Sequence, residues 1–81
     1  MNGGSIAGNK HANVGGGVGI HGGGNFTKTG GIIYGSDASG GLANQANRGG
    51  GHAVYTGTKV RNSTLHENNS ISTTNWNIGW E

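Results

Sequence analysis

The sequence predicts an all-β chain wound as a solenoid of short, stacked coils. Two observations lead there. Short β-branched or aromatic runs alternate with glycine clusters, and these units recur at set offsets along the 81 residues. A third observation removes helices: with twenty glycines, most stretches hold several per turn, each costing about 0.8–1 kcal/mol relative to alanine. The absence of proline and of a glycine at every third position excludes collagen. Composition also leaves a second candidate, a disordered Gly/Asn-rich segment. Leu, Ile, Val and Phe number only 13, below the roughly 20 % at which disorder becomes a serious reading. The formal charge of +2, however, is far from the high charge that disorder usually accompanies.

The central stretch, residues 15–36, reads GGGVGIHGGGNFTKTGGIIYGS. Val18-Gly19-Ile20, the run around Phe26, and Ile32-Ile33-Tyr34 suit a pleated, half-buried surface. The glycine clusters between them reach positive φ without a Cβ clash, so they mark corners or places where backbones approach closely.

Two echoes organise the rest. Residues 2–9, NGGSIAGN, align with 29–36, TGGIIYGS, at an offset of 27. GVGI (17–20) aligns with AVYT (53–56) at an offset of 36, each behind a glycine cluster. The loop at 10–14 is short and the one at 37–48 longer, which accounts for the growth in offset. Insertions confined to one corner are what stacked coils tolerate. Each coil offers one or two large apolar residues per strand and cannot bury a face alone, but coils stacked at ~4.8 Å share a narrow core. The alignment predicts that Ile6 stacks on Ile33, Val18 on Val54, and Asn9 on Ser36 at a corner. Residues 58–65 are expected to add one more strand with Val60 inward, and 70–74 another. The tail holds Trp76 and Trp80 and is expected to lie as a hydrophobic lid. The domain division is coils over 1–65 and an irregular C-terminal cap over 66–81.

GGSIAGNKHANVGGGVGI followed by GGGNFTKTGGIIYGSDASGG resembles the glycine-rich repeats of bacterial surface proteins of the polymorphic outer-membrane and autotransporter-passenger type. The resemblance covers residues 2–56 and more weakly extends to 65. It rests on glycine pairs, alternating apolar residues and the closing Gly-Asn or Gly-Ser. Gly19 departs from it where tyrosine is preferred, and Lys28 stands in a usually apolar position. Met1 occupies the place of Lys28 in that register, as if the chain began mid-repeat. The resemblance implies a right-handed parallel β-helix of about three coils and an extracellular or outer-surface location. It also implies a non-catalytic scaffold or adhesion role. The implied partners are neighbouring coils, self-association through open ends, and a polysaccharide or host-surface ligand. The alternative is a remnant of a carbohydrate-active β-helix protein, with binding or lyase-like chemistry.

Signals for other chemistry are weak. Gly17–Gly22 fits G-x-G-x-x-G with Asp37 about twenty residues on, but a dinucleotide fingerprint needs a helix opening there, and GGNFTKTGG is a poor one. His11, His21, His52 and His66 form neither H-x-H nor H-x-x-x-H, so a metal site is not expected. Asp37, Glu67 and Glu81 are the whole acidic set, and a convergent pair for glycoside chemistry is not expected from a corner and a terminus. No serine sits in G-x-S-x-G. Hence no catalytic, cofactor-binding or metal-ligating residue is assigned. Three N-x-S/T matches, at Asn25, Asn62 and Asn68, carry no assigned modification. Lys10, Lys28, Arg48, Lys59 and Arg61 are scattered rather than clustered among aromatics, so nucleic acid is not an expected partner. Without cysteine neither disulfides nor thiolate metal sites arise. No apolar run approaches the ~20 residues of a membrane helix, and no signal peptide pattern is visible.

Overall fold

Glycine decides where neighbouring stretches of backbone meet. A computed structural model describes residues 1–21, 24–48, 50–57, 59–66 and 69–72. Among these the chain is all-β, with nine short strands and no helix. In order they are β1 (Asn2–Ile6), β2 (Lys10–His11), β3 (Val18–Gly19), β4 (Asn25–Lys28), β5 (Gly30–Ile33), β6 (Gln45–Ala46), β7 (Val54–Tyr55), β8 (Val60–Arg61) and β9 (Asn69–Ser72). They form four small sheets and no closed barrel.

Three pairings run in the same direction: β1 with β5, β2 with β6 and β3 with β7. Ile6 lies opposite Ile33 and Val18 opposite Val54, the two apolar stacks that the echoes predict. Met1 meets Lys28 as the alignment implies, because its ammonium donates to Thr27 C=O at 2.7 Å and Thr29 N–H donates to its carbonyl at 2.7 Å. Between these points the register slips: Asn2 faces Gly30, whereas Ser5 faces Ile32. This is a β-bulge. Gly31 sits in it at φ 86, and a Cβ there would come within 2.6 Å of Gly4 C=O. The glycine pairs at 3–4 and 30–31 therefore allow close backbone approach inside a strand pair and do not form corners.

Asn9 does not stack on Ser36. Gln45 N–H donates to Asn9 C=O at 2.8 Å, and Ser36 N–H instead donates to Asn62 C=O at 2.9 Å. The reason lies in the extra length of the second coil: the offset jumps from 27 at Ile6 and Ile33 to 35 at Lys10 and Gln45. The surplus residues leave the stack after Tyr34 and rejoin it near Asn44.

The third coil is also corrected. After β7 the chain doubles back through Gly57 at φ 92, with Thr56 N–H donating to Lys59 C=O at 3.0 Å, so β8 runs antiparallel to β7. Val60 lies opposite Tyr55 and Arg61 opposite Val54. The return run continues to a single antiparallel bridge between Leu65 and Ile33, and β9 pairs antiparallel with β4. Same-direction stacking thus ends at Tyr55, before the expected boundary at 65. The strand expected at 70–74 appears at Asn69–Ser72; Trp76, Trp80 and the rest of the expected lid lie outside the described residues.

The core sits between the coils and the return run. Ile20, Ile33, Ala53, Val54 and Leu65 form it, with Met1, Ile6, Val18 and Phe26 packed against it. Each fully buried Ile, Val or Leu contributes about 1.5–3 kcal/mol relative to exposure. At Gly17, which leads into β3, a Cβ would collide with Ala53 C=O and come within 2.9 Å of Ile33 Cγ2. That glycine lets the two coils close on the central isoleucine.

Candidate functional surface

The link between the coils is mostly backbone. Besides the strand pairs, coil one bonds to coil two through Tyr34 N–H to Ile6 C=O at 3.0 Å, Gly8 N–H to Leu42 C=O at 2.9 Å and Asn47 N–H to His11 C=O at 3.0 Å. On the third side Gly16, Gly17, Val18 and Ile20 donate to the carbonyls of Gly51, His52, Ala53 and Tyr55, all at 2.8–2.9 Å. Asn44 adds a side chain to this link. It is fully buried. Its Nδ2 donates to Ile6 C=O at 2.9 Å and Tyr34 C=O at 2.6 Å. Its Oδ1 accepts from Asn9 N–H and Asn9 Nδ2, both at 3.0 Å. An amide offers two donor hydrogens and two acceptor lone pairs, and all four are used. Sequence reasoning passed over Asn44 because it lies in a polar loop whose signature is that of solvent.

The side chains singled out for chemistry are engaged elsewhere. His11 Nδ1 accepts from Asn13 N–H at 3.1 Å and His52 Nδ1 accepts from Ala46 N–H at 3.0 Å. Both serve their local backbone. His21 is exposed beside Tyr55, ring centroids 6.2 Å apart and tilted by 55°, and His66 offers its carbonyl to Lys28 Nζ at 2.9 Å. Among the described residues no group of three or more His, Asp, Glu or Cys is placed to hold a metal. Asp37 Oδ1 accepts from Thr64 N–H at 3.0 Å and Thr64 Oγ1 at 2.8 Å, which ties the long loop to the return run. Glu67 and Glu81 lie outside the described residues. In the G-x-G-x-x-G stretch, Gly17, Val18 and Ile20 spend their amides on the neighbouring coil, so these donors are not turned toward a phosphate. Asn62 Oδ1 accepts from Gly51 N–H at 2.9 Å and His52 N–H at 3.3 Å, which leaves Asn25 as the exposed sequon asparagine among those described.

Lys28, expected to replace an apolar residue, is buried on β4. Loss of water around it pushes its pKa below the ordinary lysine value. The ammonium reaches the return run through the His66 carbonyl, so a charged group inside the structure is used as a clasp.

Comparison with known protein families, characterised proteins and solved structures returns no match. No helix of the described residues is long and apolar enough to cross a membrane. The functional reading therefore starts from the surfaces that the two coils present.

The most distinctive of these is a strand edge to which no described strand pairs. β1, β2 and β3 each stand at the end of their sheet's strand order. Tyr34 N–H bonds to Ile6 C=O, so Ile6 faces β5. Alternation then turns the N–H and C=O of Ser5 away from β5, toward the outside. On the opposite side of the stack the return run lies on β7, β4 and Ile33, through β8, β9 and Leu65, while β6 stands at the end of its sheet's strand order.

Proposed function

We propose that this chain is a non-catalytic structural repeat module of a bacterial surface-exposed or secreted protein. Its fold is read as a short right-handed parallel β-helix segment closed on one side by an antiparallel return. It acts as a stiff scaffold that holds its outer faces toward other molecules. The observation that carries this reading is the continuous backbone ladder joining residues 1–20 to residues 28–55. Stiffness follows from that ladder, since most of its links are main-chain bonds along the stacking direction. The commitment of Asp37 and of the His11 and His52 ring nitrogens to internal bonds fits a scaffold better than a reaction centre. The outer-surface assignment follows the sequence resemblance. Antibodies raised against the folded chain are expected to label intact cells that produce it, and protease treatment of those cells is expected to remove the label. Labelling only after permeabilisation contradicts the surface assignment.

A further inference from the structure

We infer that Asn2 is a self-modifying site: its side-chain amide closes onto the amide nitrogen of Gly3, loses ammonia and leaves aspartate or isoaspartate in the strand. The reaction stands apart from the scaffold role and needs no partner other than water. Asn2 is the only asparagine of the chain that is followed by glycine. A side chain on the following residue shields the attacking nitrogen and restricts the backbone around it. Glycine does neither.

The fold adds three features to that dipeptide. The first is the bulge. The register pairs Asn2 with Gly30 and resumes at Ser5 with Ile32, so Gly3 and Gly4 lie where the ladder is locally disrupted. The peptide after Asn2 is therefore not locked in a regular strand. Second, there is room for a ring to close. A Cβ on Gly3 would meet nothing within 4 Å, and across the pair Gly30, whose Cβ would stand 2.7 Å from Asn2 C=O, has no side chain to fill the space. Third, Thr29 Oγ1 donates to Asn2 Oδ1 at 2.6 Å. A donor so placed draws electrons from Cγ and stabilises the negative charge that develops on Oδ1 as the nitrogen attacks. Other asparagines are held by structure. All four hydrogen-bonding positions of Asn44 are used in the core, and Asn62 Oδ1 accepts from Gly51 and His52 N–H.

The chemistry balances without any change of oxidation state. Hydroxide takes the Gly3 N–H proton, and the nitrogen bonds to Asn2 Cγ. The Cγ–Nδ2 bond then breaks as Nδ2 takes a proton from water and leaves as ammonia. Water opens the five-membered imide at one of its two carbonyls. Opening at Cγ gives aspartate; opening at the backbone carbonyl of Asn2 gives isoaspartate, with the main chain routed through the side-chain carbon. Either product puts a carboxylate on a strand that carries no charge and lowers the formal charge by one from +2. Isoaspartate also adds one carbon to the backbone of β1, between the Thr29–Met1 bond and the Ile6–Ile33 pair. Coil one thus carries a change of charge and length that accumulates with age.

Peptide mapping by mass spectrometry of the full chain, held at about pH 8 and 37 °C for about four weeks, tests this. Gly3→Ala, Thr29→Val and Thr29→Ser are run beside it. The expected result is a gain of about 1 Da at Asn2 before any other asparagine, with isoaspartate among the products. Gly3→Ala is expected to slow the conversion about tenfold or more. Thr29→Val is expected to slow it about two- to tenfold, the rate equivalent of one lost hydrogen bond, whereas Thr29→Ser keeps the hydroxyl and the rate. Gly3 and Thr29 are exposed, and circular dichroism of each variant checks that the fold is kept. No conversion at Asn2, earlier conversion at another asparagine, or a Thr29→Val rate equal to that of the unsubstituted chain overturns the inference.

Discussion

Replacing Asn44 by alanine is expected to cost about 2–4 kcal/mol, a large part of the stability of a chain of this size. The substitution removes four hydrogen bonds at once. It leaves one group on each side without its partner: the carbonyl of the half-buried Tyr34 loses its amide donor, and the N–H of the exposed Asn9 loses its acceptor. Each buried group left without a partner costs about 1–3 kcal/mol. The Ile6 carbonyl is partly protected, because it still accepts from Tyr34 N–H. Asn44→Asp keeps the acceptors but loses both donors and buries a charge, so it is expected to be no better. Asn47→Ala, at an exposed position, is expected to change stability by less than about 0.5 kcal/mol. Urea denaturation followed by circular dichroism measures all three. Near-equal midpoints for Asn44→Ala and Asn47→Ala would mean that the corner is not held by the amide.

Truncating Ile33 to alanine is expected to cost about 2–5 kcal/mol, a large part of the roughly 4–12 kcal/mol available to a chain of this size. Ile33 is fully buried and central. It lies opposite Ile6, exchanges backbone bonds with Leu65 at 2.8 and 3.0 Å, and its Cγ2 reaches toward Gly17. Three separate stretches of chain therefore share the cavity that truncation opens, and none can collapse into it alone. Ile32→Ala is the internal comparison. Ile32 is only half-buried and points to the other face of β5, so its loss is expected to be clearly smaller. Equal losses at the two positions would place the core on the wrong face.

How much of this was legible follows from what each contact is made of. The Ile6–Ile33 and Val18–Val54 neighbours were readable because a stack of like aliphatics leaves the same residue in the same place of each repeat. The Met1–Lys28 register was readable from the same alignment. The β2–β6 pair was not, because Lys10-His11 and Gln45-Ala46 share no side-chain feature and are joined through backbone alone. Asn44 escaped for a related reason: a buried amide that satisfies its neighbours looks, in sequence, like any polar loop residue. The reversal after Tyr55 was missed because alternation around Val60 is the same for parallel and antiparallel neighbours. Direction is decided by the length of the connection, and the tight link closed by Thr56 and Lys59 is too short for a same-direction crossover. Open ends were expected from the sequence, but which strands form them was not legible, since an edge becomes visible only when its neighbours are known.

The coil-to-coil ladder is tested most directly by NMR scalar couplings across hydrogen bonds. The expected result is coupling from the amide nitrogens of Gly16, Gly17, Val18 and Ile20 to the carbonyl carbons of Gly51, His52, Ala53 and Tyr55, with the partner numbers rising together. Couplings whose partner numbers fall as the donor numbers rise, or no couplings between these two stretches, would contradict same-direction coils and the scaffold built on them.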